Sequence, residues 1–444
     1  MLPQPLELAT EHILLGLASA DHEVAQWLRQ SGVDPDAIEA EILRLYGYQN
    51  EPIVIDWHDE AEEPAIDEQF VTWPILTGVG ESVFAVPEES TIALVPPAAS
   101  EQTAALRIID AAANRAREGL RVVEDYLRFV LDDRHLTELC KQLRHDLTGS
   151  LEKVPMEHRL VSRDTQADVG TTLTTSGEQT RADIRDVLRA NFARLQESLR
   201  SLEEFGKLLD ESLAASFKQM RYRTYTLQRA ADITQRSLER LAAVRLYVLV
   251  DGRSTTEEFD RLVRSLIAAG VDAIQLRDKK LDDRALLDRA RCLREATQNT
   301  PSLFIMNDRA DLAVLARADG VHVGQEELSI KDARTIVGPE MLIGVSTHSI
   351  EQARQAVLDG ASYMGVGPTF PSGTKSFTQF PGLDVLRQVA AEIRLPAFAI
   401  GGIEQKNVDD VLATGVRRIA VSGAVLGAVD PAEAARQLQS RLFC

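Results

Sequence analysis

The sequence predicts an α/β protein: a carboxy-terminal (β/α)8 TIM barrel, preceded by an all-α helical bundle and a small amino-terminal helical segment. Three observations predict it. From Arg245 onward, short apolar runs alternate with amphipathic stretches through eight units in about 200 residues. Between 105 and 235 one charged helical motif occurs twice. Over the first 48 residues the apolar positions fall at helical spacing.

A chain of 444 residues exceeds one ordinary domain. Its 44% hydrophobic and 26% charged residues are those of a soluble globular protein. A net charge of −19 excludes a non-specific nucleic-acid binder, which needs clustered Lys and Arg. Cys140, Cys292 and Cys444 stand far apart and form no CxxC pair, so a reducing cytoplasm is expected. The start, MLPQPLELATEHILLGL, lacks a basic region and reads as an amphipathic helix rather than a signal peptide. No apolar run is long enough to span a bilayer.

Residues 1–48 place Ile13, Leu14 and Leu17, then Val24, Trp27 and Leu28, then Ile38, Ile42 and Leu45 on helical faces. Asp34-Pro35 fits a cap followed by a first-turn proline. ATEHILLGL followed by VAQWLRQSGVDPDAIEAEI resembles half of the amino-terminal repeat of Clp-type chaperones, which implies a small packing or docking module. Residues 49–104 differ: no Lys or Arg stands between Arg44 and Arg107, and acidic residues crowd 51 to 68. This stretch reads as an acidic linker or a small β element.

Within 105–235, Arg115, Glu118, Arg121, Glu124 and Tyr126 recur as Arg194, Glu197, Arg200, Glu203 and Phe205. Downstream, Cys140-Lys-Gln-Leu-Arg144 recurs as Phe217-Lys-Gln-Met-Arg221. Two copies of a helical pair predict an antiparallel bundle with pseudo-twofold symmetry. Charges three residues apart form a slowly drifting ribbon. Two readings of the ribbons stay open: a solvated salt-bridged face, or the lining of a cleft shared with the polar loop Arg163-Asp164 and Asp168-Val169-Gly170. RIIDAAANRAREGLRVVEDY, LRHDL and RDTQADVG make this segment similar to a helical domain found fused ahead of thiamine-phosphate synthases. That domain is proposed to replace the usual hydroxymethylpyrimidine-phosphate kinase. The resemblance implies that this half, using ATP, makes the diphosphate the other half consumes. The sequence has no Walker loop and no GxGxxG.

The barrel is expected over 244–444, with strands at Leu246–Val250, Ala273–Leu276, Leu303–Met306, Gly320–Val323, Leu342–Val345, Tyr363–Val366, Ala397–Ile400 and Arg418–Val421. Polar or glycine-rich sequence follows seven of the eight, where this fold builds active sites. The second strand leads into Gln275-Leu276-Arg277-Asp278-Lys279, and the third into Asn307-Asp308. Glu326-Glu327 follows the fourth, and Ser346 closes the fifth. The sixth opens into a loop carrying Ser372, Gly373, Thr374 and Lys375; Gly401-Gly402 follows the seventh, and Val421-Ser422 ends the eighth. Arg277, Lys279 and Lys375 bring three cations to one rim of an acidic chain. Asp308 and Glu327 are hard oxygen ligands suited to Mg²⁺ shared with substrate phosphates. Such a site holds a diphosphate and stabilises it as a leaving group. Glycines after the seventh strand and Ser-Gly after the eighth suit a phosphate monoester. His322 and His348 read as hydrogen-bonded structural residues, Lys280 as a solvated charge, and Cys292 as lying in a helix away from the rim.

QLRDK, MNDRADLA, ADGVHVGQEE, IGVSTHS, GPTF-PSGTK, AIGGI and VSGA, in that order, look like the thiamine-phosphate synthase family over 245–443. The resemblance implies a transferase joining a pyrimidine diphosphate to a thiazole phosphate and releasing pyrophosphate. It implies that Gln275 to Lys279, Asn307, Ser346 and Lys375 bind the pyrimidine diphosphate, with Arg277, Lys279 and Lys375 acting on the leaving group. Asp308 and Glu327 would hold Mg²⁺, and Ser372 to Thr374, Gly402, Val421 and Ser422 would contact the thiazole phosphate. The family reaction is dissociative: diphosphate leaves, and the thiazole nitrogen captures a pyrimidine-methyl cation. Glu327 stands where the family commonly has Asp, and Ser372 where it favours Thr. Two alternatives remain: a thiazole tautomerase on the same barrel, which needs neither diphosphate nor Mg²⁺, and a non-catalytic phosphate-binding scaffold.

Overall fold

The computed structural model describes residues 99–163, 180–371 and 381–442. The amino-terminal segment 1–48, nearly all of the acidic stretch, the loop Asp164 to Gly170 and the segment Ser372 to Lys375 lie outside the described residues.

Four helices build the bundle: α1 (Ala99–Phe129), α2 (Arg134–Leu151), α4 (Ile184–Gly206) and α5 (Glu211–Arg240), with the short α3 (Met156–Val161) between the pairs. Helix α1 starts at Ala99, inside the stretch read as a connector to 104. Asp133 and Asp210 cap α2 and α5 at matching places in the two repeats, each carboxylate accepting a backbone N–H three residues on, from Leu136 (2.8 Å) and Leu213 (2.7 Å). Ala116, Leu120, Val123 and Leu127 of α1 share one apolar core with Phe192, Leu195, Leu199 and Leu202 of α4. The ribbons are not wholly solvated, and the loop of the cleft reading lies outside the described residues. Arg115, Glu118 and Arg121 are exposed, as are Arg194, Glu197 and Arg200. Glu124 and Glu203 are buried, because the ribbon drifts inward and meets the arginine of the following helix: Arg144 at 3.2 Å and Arg221 at 2.8 Å.

The carboxy-terminal half is a closed barrel of eight parallel strands in chain order. These are β1 (Leu246–Val250), β2 (Ala273–Leu276), β3 (Leu303–Asn307), β4 (Gly320–Val323), β5 (Leu342–Thr347), β6 (Tyr363–Val366), β7 (Ala397–Ile400) and β8 (Ile419–Val421). The main helices around it are α6 (Thr256–Ala268), α7 (Asp283–Thr297), α8 (Ala310–Leu315), α9 (Ile330–Val337), α10 (Ile350–Asp359), α11 (Gly382–Glu392), α12 (Val408–Leu412), α13 (Gly423–Leu426) and α14 (Pro431–Leu442). Side chains alternate across each strand. Val248, Ile274, Met306, Val321, Ile343, Met364, Ala399 and Ile419 face the helices in the main core. Tyr247, Ile305, Tyr363, Phe398 and Ala420 fill the barrel interior. Tyr247 and Tyr363 meet through their hydroxyls at 3.1 Å, and Phe398 packs edge-on to both.

The bundle docks on the amino-terminal ends of the strands. Leu241 and Val244, between α5 and β1, belong to the interior cluster. Asp133 accepts the backbone N–H of Arg394 at 2.8 Å, and Asp132 pairs with its guanidinium. Arg229 donates to the Leu358 carbonyl at 2.6 Å, and Arg240 to that of Glu340. Each barrel partner lies just before a strand: Glu340 before β5, Leu358 before β6, Arg394 before β7. No helix among the described residues is long and apolar enough to cross a membrane.

Candidate active site

Those of the singled-out polar residues that are described lie at the opposite, carboxy-terminal rim. Strand alternation places Gln275, Asn307, His322, Ser346 and Ser422 on the inner face, near the strand ends. The same alternation turns Leu276 and Val421 outward into the core, where they are almost fully buried. Those two can touch a ligand only through their backbone.

Asp308 turns the chain out of β3 with φ of +60°, a left-handed conformation that Asp tolerates. Its N–H donates to the His322 carbonyl at 2.8 Å, and its carboxylate accepts from Asn307 Nδ2 at 2.6 Å. Lys279 Nζ stands 3.6 Å from Asp308 Oδ2 and 3.6 Å from Glu327 Oε1. Two carboxylates from different loops are thus arranged around one positive charge. Burial, and then the neighbouring charge of Glu327, push the Asp308 carboxyl above its ordinary range, while Lys279 and Asn307 pull it back. Glu327 reaches this point by folding over Gly324, where a Cβ would lie 2.1 Å from Oε2. Among the described residues no group of three or more His, Cys, Asp and Glu is placed to hold a metal. Asp308 and Glu327 suit a hard cation that takes its other ligands from substrate oxygens and water.

Arg277, two residues before Lys279 and close enough for its charge to act on His322, is half-buried, with no ion-pair partner among the described residues. Asp278 is otherwise engaged. Its carboxylate accepts the N–H groups of Lys280 (2.7 Å), Gly252 (3.0 Å) and Leu281 (3.1 Å). Burial alone would raise this carboxyl, yet the three backbone donors hold it below the usual range. Asp278 therefore shapes the loop that carries Lys279 and Arg277 instead of offering a carboxylate to ligand.

Beneath the rim, Gln275 Nε2 donates to the Tyr247 hydroxyl at 2.7 Å, which fixes the side-chain amide of a residue only 2% exposed. His322 Nε2 lies 3.1 Å from Ser346 Oγ, and Gln325 Nε2 donates to the Ser346 carbonyl at 2.5 Å. Burial, then the positive charge of Arg277, lower His322 to about 4, so its imidazole is neutral near pH 7. Sequence reasoning assigned His322 no role and did not single out Tyr247 or Gln325; the period-two alternation of LYVLV was the available signal for Tyr247.

On the far side of the rim, Gly402 has φ of +64°, and a Cβ there would come 2.7 Å from the Pro371 carbonyl. The loops after β6 and β7 thus meet backbone to backbone. Ser422 Oγ donates to the Leu249 carbonyl at 3.1 Å, leaving its oxygen lone pairs for a further donor. His348 Nδ1 sits 2.5 Å from the Gly367 carbonyl. Cys292 lies in α7, half-buried beside Asp260, and burial pushes its thiol up to about 11, which rules it out as a ready nucleophile.

A family model described as thiamine monophosphate synthase matches residues 246–425, and one described as the ThiD2 family matches 107–230. The thiamine-phosphate synthase of Rhodopirellula baltica is 46% identical over 335 residues, covering 73% of this chain and 89% of that protein. That of Gloeobacter violaceus is 45% identical, covering 77% of this chain and 98% of the relative. A thiamine phosphate pyrophosphorylase structure from Pyrococcus furiosus is 37% identical, covering 45% of this chain and 96% of that one, with a TM-score of 0.41.

Proposed function

The chain belongs to the thiamine-phosphate synthase family, and from that premise we propose how its own residues carry out the condensation. The barrel joins 4-amino-2-methyl-5-(diphosphooxymethyl)pyrimidine to thiazole phosphate. The C–O bond to the diphosphate breaks, the thiazole nitrogen forms a bond to the freed methylene carbon, and pyrophosphate leaves. The observation that carries this reading is the triangle of Lys279, Asp308 and Glu327. Arg277 and Lys279 hold the diphosphate and stabilise the charge that grows on it as the bond stretches. Lys375, on the loop after β6, adds a third cation. Asp308 and Glu327 would hold Mg²⁺, which supplies further neutralisation of the leaving group when bound. Gln275, Asn307 and Ser346 orient the pyrimidine, with Tyr247 and His322 fixing two of those side chains. Ser372 to Thr374, Gly402, Ser422 and the backbone at Val421 receive the thiazole phosphate. A tautomerase would have no use for two carboxylates converging on one cation. The setting is the cytoplasm, in keeping with the free thiols of Cys140 and Cys292.

Pyrophosphate release from the two purified substrates tests the metal's part. Chelation with EDTA should abolish turnover, and Mg²⁺ should restore it. Undiminished turnover in EDTA would remove metal binding by Asp308 and Glu327 from the reaction.

A second reading concerns the bundle, whose match to the ThiD2 family supports phosphorylation of hydroxymethylpyrimidine phosphate by ATP. The barrel interior is filled by Tyr247, Tyr363 and Phe398, and the bundle sits on the amino-terminal face. A diphosphate made in the bundle must therefore cross solvent to reach the opposite rim. Full-length protein given labelled hydroxymethylpyrimidine phosphate, ATP and thiazole phosphate should make labelled thiamine phosphate. A tenfold excess of unlabelled diphosphate should dilute that label in proportion. No labelled diphosphate at all would count against the kinase; label that resists dilution would count against release into solvent.

A further inference from the structure

The described residues enclose a second concave site, far from the rim, on the bundle. A cleft of about 490 Å³ opens between α1, α4 and α5, a volume within the ordinary range for small-molecule sites. Its floor is apolar and aromatic: Phe192 is fully buried and Tyr126 is 6% exposed, with Leu188 and Ala231 beside them. Tyr225 forms part of the wall. Arg185, Arg189, Arg229 and Arg236 border it with the carboxylate of Asp232, although the Arg229 guanidinium is taken up by the Leu358 carbonyl. Asp232 holds Arg236 at 2.9 Å and Arg189 more loosely at 3.9 Å. Arg185 pairs with Glu239, outside the lining. An excess of positive charge in a concave, aromatic-floored site is unexpected in a chain of net charge −19.

The repeat gives an internal comparison. In register, Asp110 of the first copy corresponds to Arg189 of the second. In the first copy Asp110 is 4% exposed and takes Arg163 at 2.6 Å and Arg159 at 3.7 Å, which closes the spot. In the second copy the central acid is replaced by an arginine. The equivalent place keeps two arginines to one carboxylate, Asp232, but is more open: Arg189 is 60% and Arg236 61% exposed, against 7% for Arg159 and 40% for Arg163.

We propose that this cleft binds a phosphorylated heteroaromatic ring, with Arg189 and Arg236 on the phosphate and Tyr126 and Tyr225 against the ring. Guanidinium groups suit phosphate oxygens in paired geometry, and aromatic walls suit a planar ring. The site concerns binding, and it stands whether or not the bundle transfers a phosphoryl group. Two sources share this chemistry, a pyrimidine phosphate and a nucleotide, and separate titrations tell them apart.

The full chain, its Asp308→Asn variant and an Arg189→Glu, Arg236→Glu double variant are titrated calorimetrically with hydroxymethylpyrimidine phosphate, with ATP and with inorganic phosphate. One of the two ring phosphates should bind the wild type and Asp308→Asn alike. It should bind the double variant at least tenfold more weakly, while condensation from preformed diphosphate stays within twofold of wild type. If charge reversal lowers the melting temperature, the Arg189→Gln, Arg236→Gln pair carries the measurement. Equal affinity in the cleft variants, loss of binding in Asp308→Asn instead, or binding of neither ring phosphate overturns the proposal. Inorganic phosphate binding as tightly as both ring compounds overturns the part assigned to the aromatic floor. Binding without any diphosphate product keeps the cleft and removes the kinase.

Discussion

Asp308→Asn should lower turnover of the condensation about a hundredfold to a thousandfold, roughly what loss of one preorganised group acting on developing charge costs. Asparagine is the informative replacement. Residue 308 sits at φ of +60°, a conformation that asparagine adopts readily and alanine only at a cost of roughly 1–2 kcal/mol. The Asn variant therefore keeps the turn out of β3 and removes only the negative charge that shares Lys279 with Glu327. Steady-state pyrophosphate release measures the loss, and near-normal turnover would take this carboxylate out of the mechanism.

The same substitution carries a stability signature of known sign. Burial first, and Glu327 second, raise the Asp308 carboxyl, so the folded protein holds that proton more tightly than the unfolded chain does. Stability linked to this group is fully present below the unfolded value of about 3.9 and is lost as pH rises through the higher folded value. With EDTA present at pH 8, Asp308→Asn should melt above wild type, and the difference should close as the pH is lowered toward 4. A site that costs stability when no ligand compensates it is what a catalytic carboxylate pair is expected to be.

Much of this was legible in the sequence, for identifiable reasons. Parallel strands buried on both faces are short continuous apolar runs, so all eight strands were visible, five with the bounds observed. The others differ at polar ends: Asn307, Ser346 and Thr347 continue their strands because backbone pairing to His322, Gly365 and Val366 persists past the hydrophobic run. Arg418 precedes β8 and donates to the Leu241 carbonyl instead. The rim residues were legible because this fold places strand ends together. What the chain order hides is how each loop closes on itself. Asp278 binds its own loop, Glu327 folds back on Gly324, and His322 reaches Ser346 from the neighbouring strand. The burial of Glu124 and Glu203 was hidden for a similar reason, since it depends on an arginine presented by a different helix.

That last pairing predicts the largest effect on stability. Glu203→Ala should destabilise the bundle by about 3–5 kcal/mol, the usual result of leaving one member of a buried pair alone. Arg221 is 11% exposed and Glu203 6%, with contacts of 2.8 and 3.0 Å from two guanidinium nitrogens. Arg221 also donates to the Tyr225 hydroxyl at 3.1 Å and stacks on the Tyr222 ring, so it cannot easily swing out to water. The first copy of the repeat supplies the control. Arg144 is 24% exposed and approaches Glu124 at 3.2 Å, but without hydrogen-bond alignment: both facing atoms lack a hydrogen-bond partner among the described residues. Glu124→Ala should therefore cost less, because Arg144 has a shorter path to solvent. Urea denaturation followed by far-ultraviolet circular dichroism ranks the two, and equal losses would deny the difference in burial a role. The double variant Glu203→Leu, Arg221→Met should recover most of the loss, since a hydrophobic pair of similar volume avoids stranding a charge. If it recovers none, the pair acts through something other than mutual neutralisation. Condensation at the barrel, measured below the melting transition, should be unaffected by all three, because the ion pair lies in the bundle on the face opposite the rim.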